Sequence, residues 1–146
     1  PNFRIAEKWA VLIGGGVNHR MGLFDAMMLK DNHIDFCGGL SQALIKTKKY
    51  LDGLSVSIPV IVETRSLDDV AICLKNKWIS RVLLDNMSPT LLAEAVKLID
   101  GTLPTEASGN ITPENCITYA ETGVDFISLG YITHSAPIID LSLRAN

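Results

Sequence analysis

The sequence predicts an α/β fold in which repeated strand–helix units build a parallel sheet. Short apolar runs recur at residues 27–29, 58–62, 79–84 and 124–129, and segments with helical spacing lie between them. Strands that alternate with helices of about a dozen residues are typical of βαβ units. The runs are mostly continuous in apolar character, which is expected of strands covered on both faces. Periodicity alone does not distinguish an open sheet from a closed barrel.

The predicted strands differ in how strongly their residues favour an extended backbone. The first run, 27–29, is the least β-like, because Met and Leu favour helices as readily as strands. Pro59 lies near the start of the second run, where a strand tolerates proline best. A further strand is predicted over residues 103–107 in spite of Pro104.

Capping residues mark where the predicted helices begin. One helix covers residues 40–51, where the leucines fall on one side and the lysines elsewhere. Ser66 is the expected N-cap of the next helix, because acidic residues follow it in the first turn. Two more helices are expected to open with a hydroxyl and a proline, at Ser88-Pro89 and Thr112-Pro113.

Length and composition are those of one globular domain over residues 1–146, with a sizeable core. Hydrophobic residues make up 47% of the chain and charged residues 20%, and the formal net charge is −3. No basic block is long enough to follow a nucleic-acid backbone, and no apolar stretch approaches the ~20 residues that cross a bilayer. We therefore expect no nucleic acid and no membrane among its partners.

The three cysteines, Cys37, Cys73 and Cys116, are far apart in the sequence and odd in number. This spacing indicates neither a zinc site nor a disulfide framework, so a reducing cytoplasm is the expected location. Cys73 and Cys116 fall in helical patterns and are expected to be small core residues. Trp9 and Trp78 are expected at the margin of the core.

A glycine-rich segment with cations is the most informative motif. Gly14, Gly15 and Gly16 stand in succession, and His19 and Arg20 follow closely. Successive glycines let a ligand approach the main chain, and an arginine can hold a carboxylate or phosphate with two parallel hydrogen bonds. The segment therefore indicates a site for a small, multiply negative molecule. The alternative is a flexible turn with solvated charges.

Charged, hydroxylic or glycine residues follow each predicted strand. In parallel α/β folds the carboxyl ends of the strands converge on one face, where active sites are built. We therefore expect these residues to share a pocket. They are Lys30, Glu63, Asp85, Ser108 with Gly109, and Gly130.

The residue types suggest the chemistry of that pocket. Arg20 and Lys30 suit acidic groups, while Glu63 and Asp85 suit Mg²⁺ or sugar hydroxyls, because a hard cation prefers oxygen ligands. Backbone N–H groups near Ser108, Gly109 and Gly130 suit a phosphate. Lys30, Glu63 and Asp85 also have simpler explanations.

Lys30 could be a solvated charge, Glu63 could pair with a nearby Lys or Arg, and Asp85 with Asn86 could cap a helix. His33 and His134 are expected to be structural, because nothing pairs them with a nucleophile or with a metal-ligand spacing.

These motifs resemble the quinolinate phosphoribosyltransferase family over nearly the whole chain. The central signature is the most specific of them and covers residues 14–25 and 29–34. Later blocks follow in the same order, at residues 62–63, 83–86, 106–112, 127–130 and 133–137.

The resemblance implies an incomplete parallel α/β barrel of the type II phosphoribosyltransferase kind. It implies the reaction of quinolinate with phosphoribosyl pyrophosphate, assisted by Mg²⁺, to give nicotinate mononucleotide, pyrophosphate and CO₂. His19, Arg20 and Lys30 would hold the carboxylates of quinolinate. Glu63 and Asp85 would address the ribose hydroxyls and the metal-bound pyrophosphate, which places Lys30, Glu63 and Asp85 at the chemistry. Ser108, Gly109 and Gly130 would lie along the phosphate.

The resemblance also implies segments that this sequence does not contain. The family has an N-terminal domain and a Thr-Arg-Lys-Thr segment that supply further cations, some of them from a partner subunit. We therefore expect a homodimer or a higher homo-oligomer, and the 146-residue chain is interpreted as a fragment. Two alternatives remain, a homologue that uses the same pocket for another acidic substrate and a non-catalytic fragment that binds anions.

Overall fold

A computed structural model describes residues 3–145 and contains one five-stranded sheet with helices between the strands. The elements follow one another in a regular order. They are α1 (Arg4–Ile13), β1 (Met27–Leu29), α2 (Asp31–Phe36), α3 (Leu40–Asp52), β2 (Val60–Thr64), α4 (Leu67–Leu74), β3 (Arg81–Asp85), α5 (Pro89–Ile99), β4 (Thr105–Ser108), α6 (Cys116–Ala120), β5 (Phe126–Ile127) and α7 (Tyr131–His134).

The order of the strands in the sheet identifies the architecture. Neighbours run β1-β2-β3-β4-β5, and each pair is parallel. A doubly wound sheet reverses its strand order at a switch point, whereas the wall of an α/β barrel keeps sequential order. β1 and β5 form the two edges of the sheet within residues 3–145. The prediction of an incomplete parallel α/β barrel is therefore confirmed.

Two helix starts are where the sequence predicts them, and a third is displaced. The hydroxyl of Ser66 accepts a 3.1 Å hydrogen bond from Asp69 N, and that of Ser88 accepts one of 3.3 Å from Leu91 N. The helix expected to open at Thr112-Pro113 instead begins at Cys116. Residues 113–115 form a turn, because the Asn115 side chain accepts a 2.8 Å hydrogen bond from Thr112 N.

Most of the core lies between the sheet and the helices on its outer face. Alternate residues of a strand point to opposite faces, so Val60 and Val62 of β2 and Val82 and Leu84 of β3 share the outer face. All four are at most 1% exposed. Burying a side chain the size of Leu84 contributes about 1.5–3 kcal/mol relative to leaving it in water. The main core cluster includes these residues together with Leu44, Val70, Cys73, Leu92, Ala95 and Ile99 from the helices.

The expectations for the tryptophans and cysteines have different outcomes. Trp78 is half-buried against the core, as predicted, and Cys73 is fully buried. Cys116 packs against the core from the start of α6. The prediction for Trp9 is wrong: its side chain is 66% exposed, because α1 has no buried residue along its described length. In residues 3–145, no helix combines the length and the apolar character that a membrane crossing requires.

Candidate active site

A cavity of about 730 Å³ opens over the inner face of the sheet at the carboxyl ends of the strands. It is lined by seven of the eight residues that the sequence analysis assigned to the site. They are His19, Arg20, Lys30, Glu63, Asp85, Ser108 and Gly130. The eighth, Gly109, follows β4 without lining the cavity and lies against Asn86. The shared pocket expected from the strand ends is therefore present.

Period-two alternation brings the polar side chains onto one face of the sheet. Leu83 and Asp85 lie two residues apart on β3, and Glu106 and Ser108 lie two residues apart on β4. The strand register places Leu83 beside Glu106 and Asp85 beside Ser108. Apolar residues also occupy the inner face, since Ala26, Ile61 and Leu83 form a separate buried cluster there. The inner face thus combines these apolar residues with polar and charged side chains that reach the strand ends.

Hydrogen bonds from two neighbours hold the carboxylate of Asp85. Ser108 Oγ donates to Oδ1 over 2.6 Å, and Asn86 Nδ2 donates to Oδ2 over 2.7 Å. Asn86 is itself held by Asn110, whose Nδ2 donates to Asn86 Oδ1 over 3.0 Å. The alternative role for Asp85 and Asn86, capping α5, is not observed, because Ser88 caps that helix.

Glu63 is a buried carboxylate at the rim of the cavity. Its side chain lies on β2, and Oε1 accepts a 3.2 Å hydrogen bond from Asp31 N. Burial raises the pKa of Glu63, and the nearby carboxylates of Asp85 and Asp31 raise it further, against the opposing effects of the Asp31 N–H group and Lys30. The alternative in which Glu63 pairs with a Lys or Arg is not observed among the described residues.

The segment between α1 and β1 is folded back on itself by Asp25. The Asp25 carboxylate accepts hydrogen bonds from Met21 N over 2.7 Å and from Gly22 N over 2.8 Å, and these backbone donors lower the pKa of Asp25. Arg20 Nη1 donates to Ala26 O over 3.3 Å. The segment is therefore a defined loop rather than a turn with free charges.

Glu106 is the functional candidate that the sequence analysis missed. Its side chain is almost completely buried on β4, and both of its oxygens are paired. Oε1 lies 2.7 Å from His19 Nδ1 and accepts a hydrogen bond from Ser128, and Oε2 accepts one of 2.9 Å from Arg81 Nη1. The Arg81 guanidinium also stacks 4.0 Å above the ring of Phe126. Burial alone would raise the pKa of Glu106, but the donors from His19, Ser128 and Arg81 outweigh it and bring the pKa down to about 2.

A signal for Glu106 is present in the sequence. Glu106 lies within the predicted strand 103–107, two residues before the Ser108 that follows it, so an extended backbone points both side chains to the same face. Arg81 lies two residues before Leu83 and four before Asp85 on β3, so these three side chains also share one face. A search limited to the residues that follow each strand does not find Glu106 and Arg81, which lie within strands.

The other two histidines do not join this network. His33 has the expected structural role: Nδ1 accepts a 3.1 Å hydrogen bond from Lys30 N at the start of α2. His134 is exposed on α7, where Nδ1 lies 2.7 Å from Ser135 Oγ.

The carboxylates of Glu63 and Asp85 are the candidate metal ligands. They are near enough for Asp85 to raise the pKa of Glu63 by repulsion, which a cation between them would relieve. Within residues 3–145, no group of three His, Cys, Asp or Glu side chains could enclose a metal ion. Mg²⁺ is commonly held by one or two carboxylates and completes its shell with water and phosphate oxygens. The two residues fit an ion that arrives with a phosphorylated substrate.

Comparisons with known proteins agree with this architecture. The family model "Quinolinate phosphoribosyl transferase, C-terminal domain" matches residues 1–144. The chain is 45% identical over 158 residues to quinolinate phosphoribosyltransferase [decarboxylating] 2, mitochondrial, of Nicotiana glauca, covering 99% of this chain and 45% of that protein. It is 41% identical over 143 residues to the probable nicotinate-nucleotide pyrophosphorylase [carboxylating] of Bacillus subtilis, covering 98% and 48%.

Solved structures show the same relationship in three dimensions. NadC from Streptococcus pyogenes superposes with a TM-score of 0.84 at 37% identity, covering 99% of this chain and 50% of that one. The chain thus spans about half the length of the relatives that it matches. With a matching fold, a matching family model and this level of identity, the chain belongs to the quinolinate phosphoribosyltransferase family, of which it carries the C-terminal domain.

Proposed function

We propose that this chain supplies most of the active site of a quinolinate phosphoribosyltransferase. The enzyme would join quinolinate to phosphoribosyl pyrophosphate and release nicotinate mononucleotide, pyrophosphate and CO₂. One observation carries the proposal: a single cavity collects cationic side chains, carboxylates and a hydroxyl at the strand ends. Such a set suits a dianionic acid beside a phosphorylated sugar.

The cationic part of the cavity would bind quinolinate. His19, Arg20 and Lys30 all line it, and nitrogen donors with positive charge are the natural partners of two carboxylates. Arg20 already donates to Ala26 O through Nη1, which fixes the direction of its guanidinium. Lys30 extends from the end of β1 beside Glu63 and is exposed to solvent.

The carboxylate part would bind the sugar and the pyrophosphate. Glu63 and Asp85 would accept hydrogen bonds from ribose hydroxyls and hold Mg²⁺ together with pyrophosphate oxygens. When bound, Mg²⁺ would neutralise charge on the leaving pyrophosphate. Ser108 and Gly130 would lie along the phosphate, and Gly109 would shape the turn behind it.

The chemistry needs no covalent intermediate with the protein. The ring nitrogen of quinolinate forms a bond to ribose C1 while the bond from C1 to pyrophosphate breaks, and fixed charges stabilise that change. The ring then carries a positive charge at nitrogen. That charge stabilises the electron pair that stays on the neighbouring ring carbon when its carboxylate departs as CO₂. A proton then bonds to this carbon.

We extend the proposal to the assembly and the location of the protein. A homodimer or higher homo-oligomer would place further cations at the cavity, which is open on one side. A cytoplasmic location fits the three free cysteines, whereas the Nicotiana glauca relative is named as a mitochondrial protein.

Product formation is the direct test. Quinolinate, phosphoribosyl pyrophosphate and Mg²⁺ are incubated with the product of the complete reading frame and, separately, with the 146-residue chain. We expect nicotinate mononucleotide and CO₂ in equal amounts from the first. Binding of quinolinate in preference to nicotinate, which lacks one carboxylate, supports the assigned cations. Absence of product together with equal affinity for the two acids would contradict the proposal.

A further inference from the structure

We propose that Glu106 is a positioning residue that fixes the ring orientation and the tautomer of His19. The inference deepens the proposed function, because it rests on His19 as a ligand for a substrate carboxylate. Glu106 lines the cavity floor but is only about 1% exposed, and both of its oxygens are already paired, so it touches no substrate in this scheme.

The contacts of Glu106 leave His19 little freedom. His19 belongs to the loop between α1 and β1, whereas Glu106 is 87 residues further along the chain, in the middle of the sheet. The 2.7 Å contact between Nδ1 and Oε1 is therefore a tertiary contact that ties the loop to β4. Ser128 donates to the same oxygen from the segment after β5, and Arg81 holds the other oxygen from β3. The carboxylate is thus held by two donors in addition to the imidazole.

A carboxylate in this position decides where the imidazole proton lies. An ionised carboxylate only accepts hydrogen bonds, so the nitrogen that faces it must carry hydrogen. Nδ1 of His19 is therefore a donor, and Nε2 is the nitrogen that remains for other partners. When a substrate carboxylate reaches Nε2, the ring can hold a second proton and lie between two negative groups.

The second ring nitrogen of His19, Nε2, is the atom that this arrangement leaves for a ligand. Nε2 is shielded from solvent and has no hydrogen-bond partner among residues 3–145. A buried nitrogen without a partner is costly. Because Nε2 of the Nδ1–H tautomer is an acceptor, it can bind a carboxylate oxygen only when it carries a proton as well, which makes the ring a cation. The ring lines the cavity, and the loop that carries it contains neither helix nor strand between residues 14 and 26.

Replacing Glu106 with glutamine separates this role from a general structural one. Glutamine keeps the shape of the side chain but offers one oxygen where the carboxylate offers two. Arg81 is always a donor, so the amide oxygen is expected to face Arg81 and the NH₂ group to face His19. Nδ1 then becomes an acceptor, and the proton moves to Nε2.

Nitrogen-15 NMR of histidine-labelled protein, made from the complete reading frame, reads out the tautomer directly. His19 is assigned by its loss in His19→Asn. We expect Nδ1 of wild-type His19 to carry hydrogen, whether the ring is neutral or charged, and we expect Glu106→Gln to move that hydrogen to Nε2. Glu94→Gln on the exposed face of α5 removes the same charge and should leave the spectrum unchanged. A wild-type ring with hydrogen on Nε2 alone overturns the proposal without need of any variant.

A double-mutant cycle on quinolinate affinity provides the functional readout. We expect Glu106→Gln to weaken quinolinate binding about tenfold, the scale of replacing a charge-assisted hydrogen bond by a neutral one. The KM for phosphoribosyl pyrophosphate and kcat should change much less. In the His19→Asn background the same substitution should have little further effect, because Glu106 acts through His19. Losses that simply add would overturn the proposal.

The two proposals fail in different ways. If the wild-type protein does not bind quinolinate, the proposed function fails, while the tautomer of His19 can still be measured. If quinolinate binds and the Glu106→Gln spectrum keeps hydrogen on Nδ1, the positioning role fails and the proposed function stands.

Discussion

Ser108 and Asp85 lie opposite each other in the β3–β4 ladder, and Ser108 Oγ donates a 2.6 Å hydrogen bond to Asp85 Oδ1. The hydroxyl therefore orients a carboxylate, in addition to the place along the phosphate that is proposed for it. Its rotamer is linked to that of Asp85, and through Asp85 to the Asn86 side chain, which holds the other oxygen. Changes at Ser108 should consequently weaken binding at the end of the cavity that is proposed for the sugar and the pyrophosphate.

Ser108→Ala is expected to weaken binding of phosphoribosyl pyrophosphate more than binding of quinolinate. The variant loses one donor to a carboxylate, which costs about 1–2 kcal/mol in affinity by the usual scale of such bonds. Titration calorimetry with each substrate measures the difference. Ser41→Ala, at an exposed position of α3, is the control. Equal losses for both substrates would show that Ser108 does not act through Asp85.

Gly109→Ala is expected to destabilise the fold more than Gly101→Ala. Both glycines have positive φ, +93° and +67°, so alanine is strained at each by about 1 kcal/mol or more. A Cβ at Gly109 would also lie 2.3 Å from Asn86 Oδ1 and 2.9 Å from Asn86 N, whereas one at Gly101 would meet nothing within 4 Å. Urea denaturation of the two variants measures the difference, and identical midpoints would contradict the clash.

Arg81→Met is expected to be far more damaging than Arg65→Met. Arg81 pairs with the buried Glu106, and removing one partner of a buried ion pair costs about 3–5 kcal/mol, because the other charge is left uncompensated. Arg65 pairs with Asp35 where both side chains are about half exposed, and such pairs contribute about 0–1 kcal/mol. The free energy of unfolding of each variant is the measurement. Comparable losses would mean that His19 and Ser128 alone compensate the charge of Glu106.

Acid should destabilise the wild-type fold through Glu106. Its pKa is about 2 in the folded chain against an ordinary 4.5, so folding favours the ionised form. The stabilisation is present in full above pH 4.5 and is lost as the pH falls toward 2. A shift of this size corresponds to a few kcal/mol, at about 1.4 kcal/mol per pH unit. The unfolding free energy of Glu106→Gln should therefore depend less on pH in this window, and that of Glu94→Gln should follow the wild type.

The sequence predicts the positions of the strands and the site better than it predicts the connections. Apolar runs and helix caps are local signals, so β1 is predicted at its observed residues and Ser66 and Ser88 cap their helices as expected. The displaced start of α6 has a local cause that the capping pattern does not reveal, since the Asn115 side chain closes a turn at Thr112. Short helices such as α2 and α7 have too few residues for a periodic signal.

Glu106 could not be assigned from strand ends, because its importance depends on which residues meet across the sheet. His19 and Glu106 are distant in sequence, and only the folded chain brings Nδ1 within 2.7 Å of Oε1. Trp9 illustrates the converse. The residue type of Trp9 predicts a place at the margin of the core. No residue of α1 is buried against the rest of the described chain, and Trp9 remains exposed.

Lys30→Met is expected to weaken quinolinate binding while leaving the fold unchanged. The side chain is exposed at the cavity rim, and methionine keeps its length without the charge. Loss of one charge-assisted hydrogen bond predicts a decrease of about 1.5–3 kcal/mol in binding free energy. The affinity for nicotinate, which has one carboxylate fewer, should fall by less. Lys49→Met, on the exposed side of α3, removes the same charge far from the strand ends and serves as the matched control. Equal quinolinate affinity for the two variants would remove Lys30 from the proposed site.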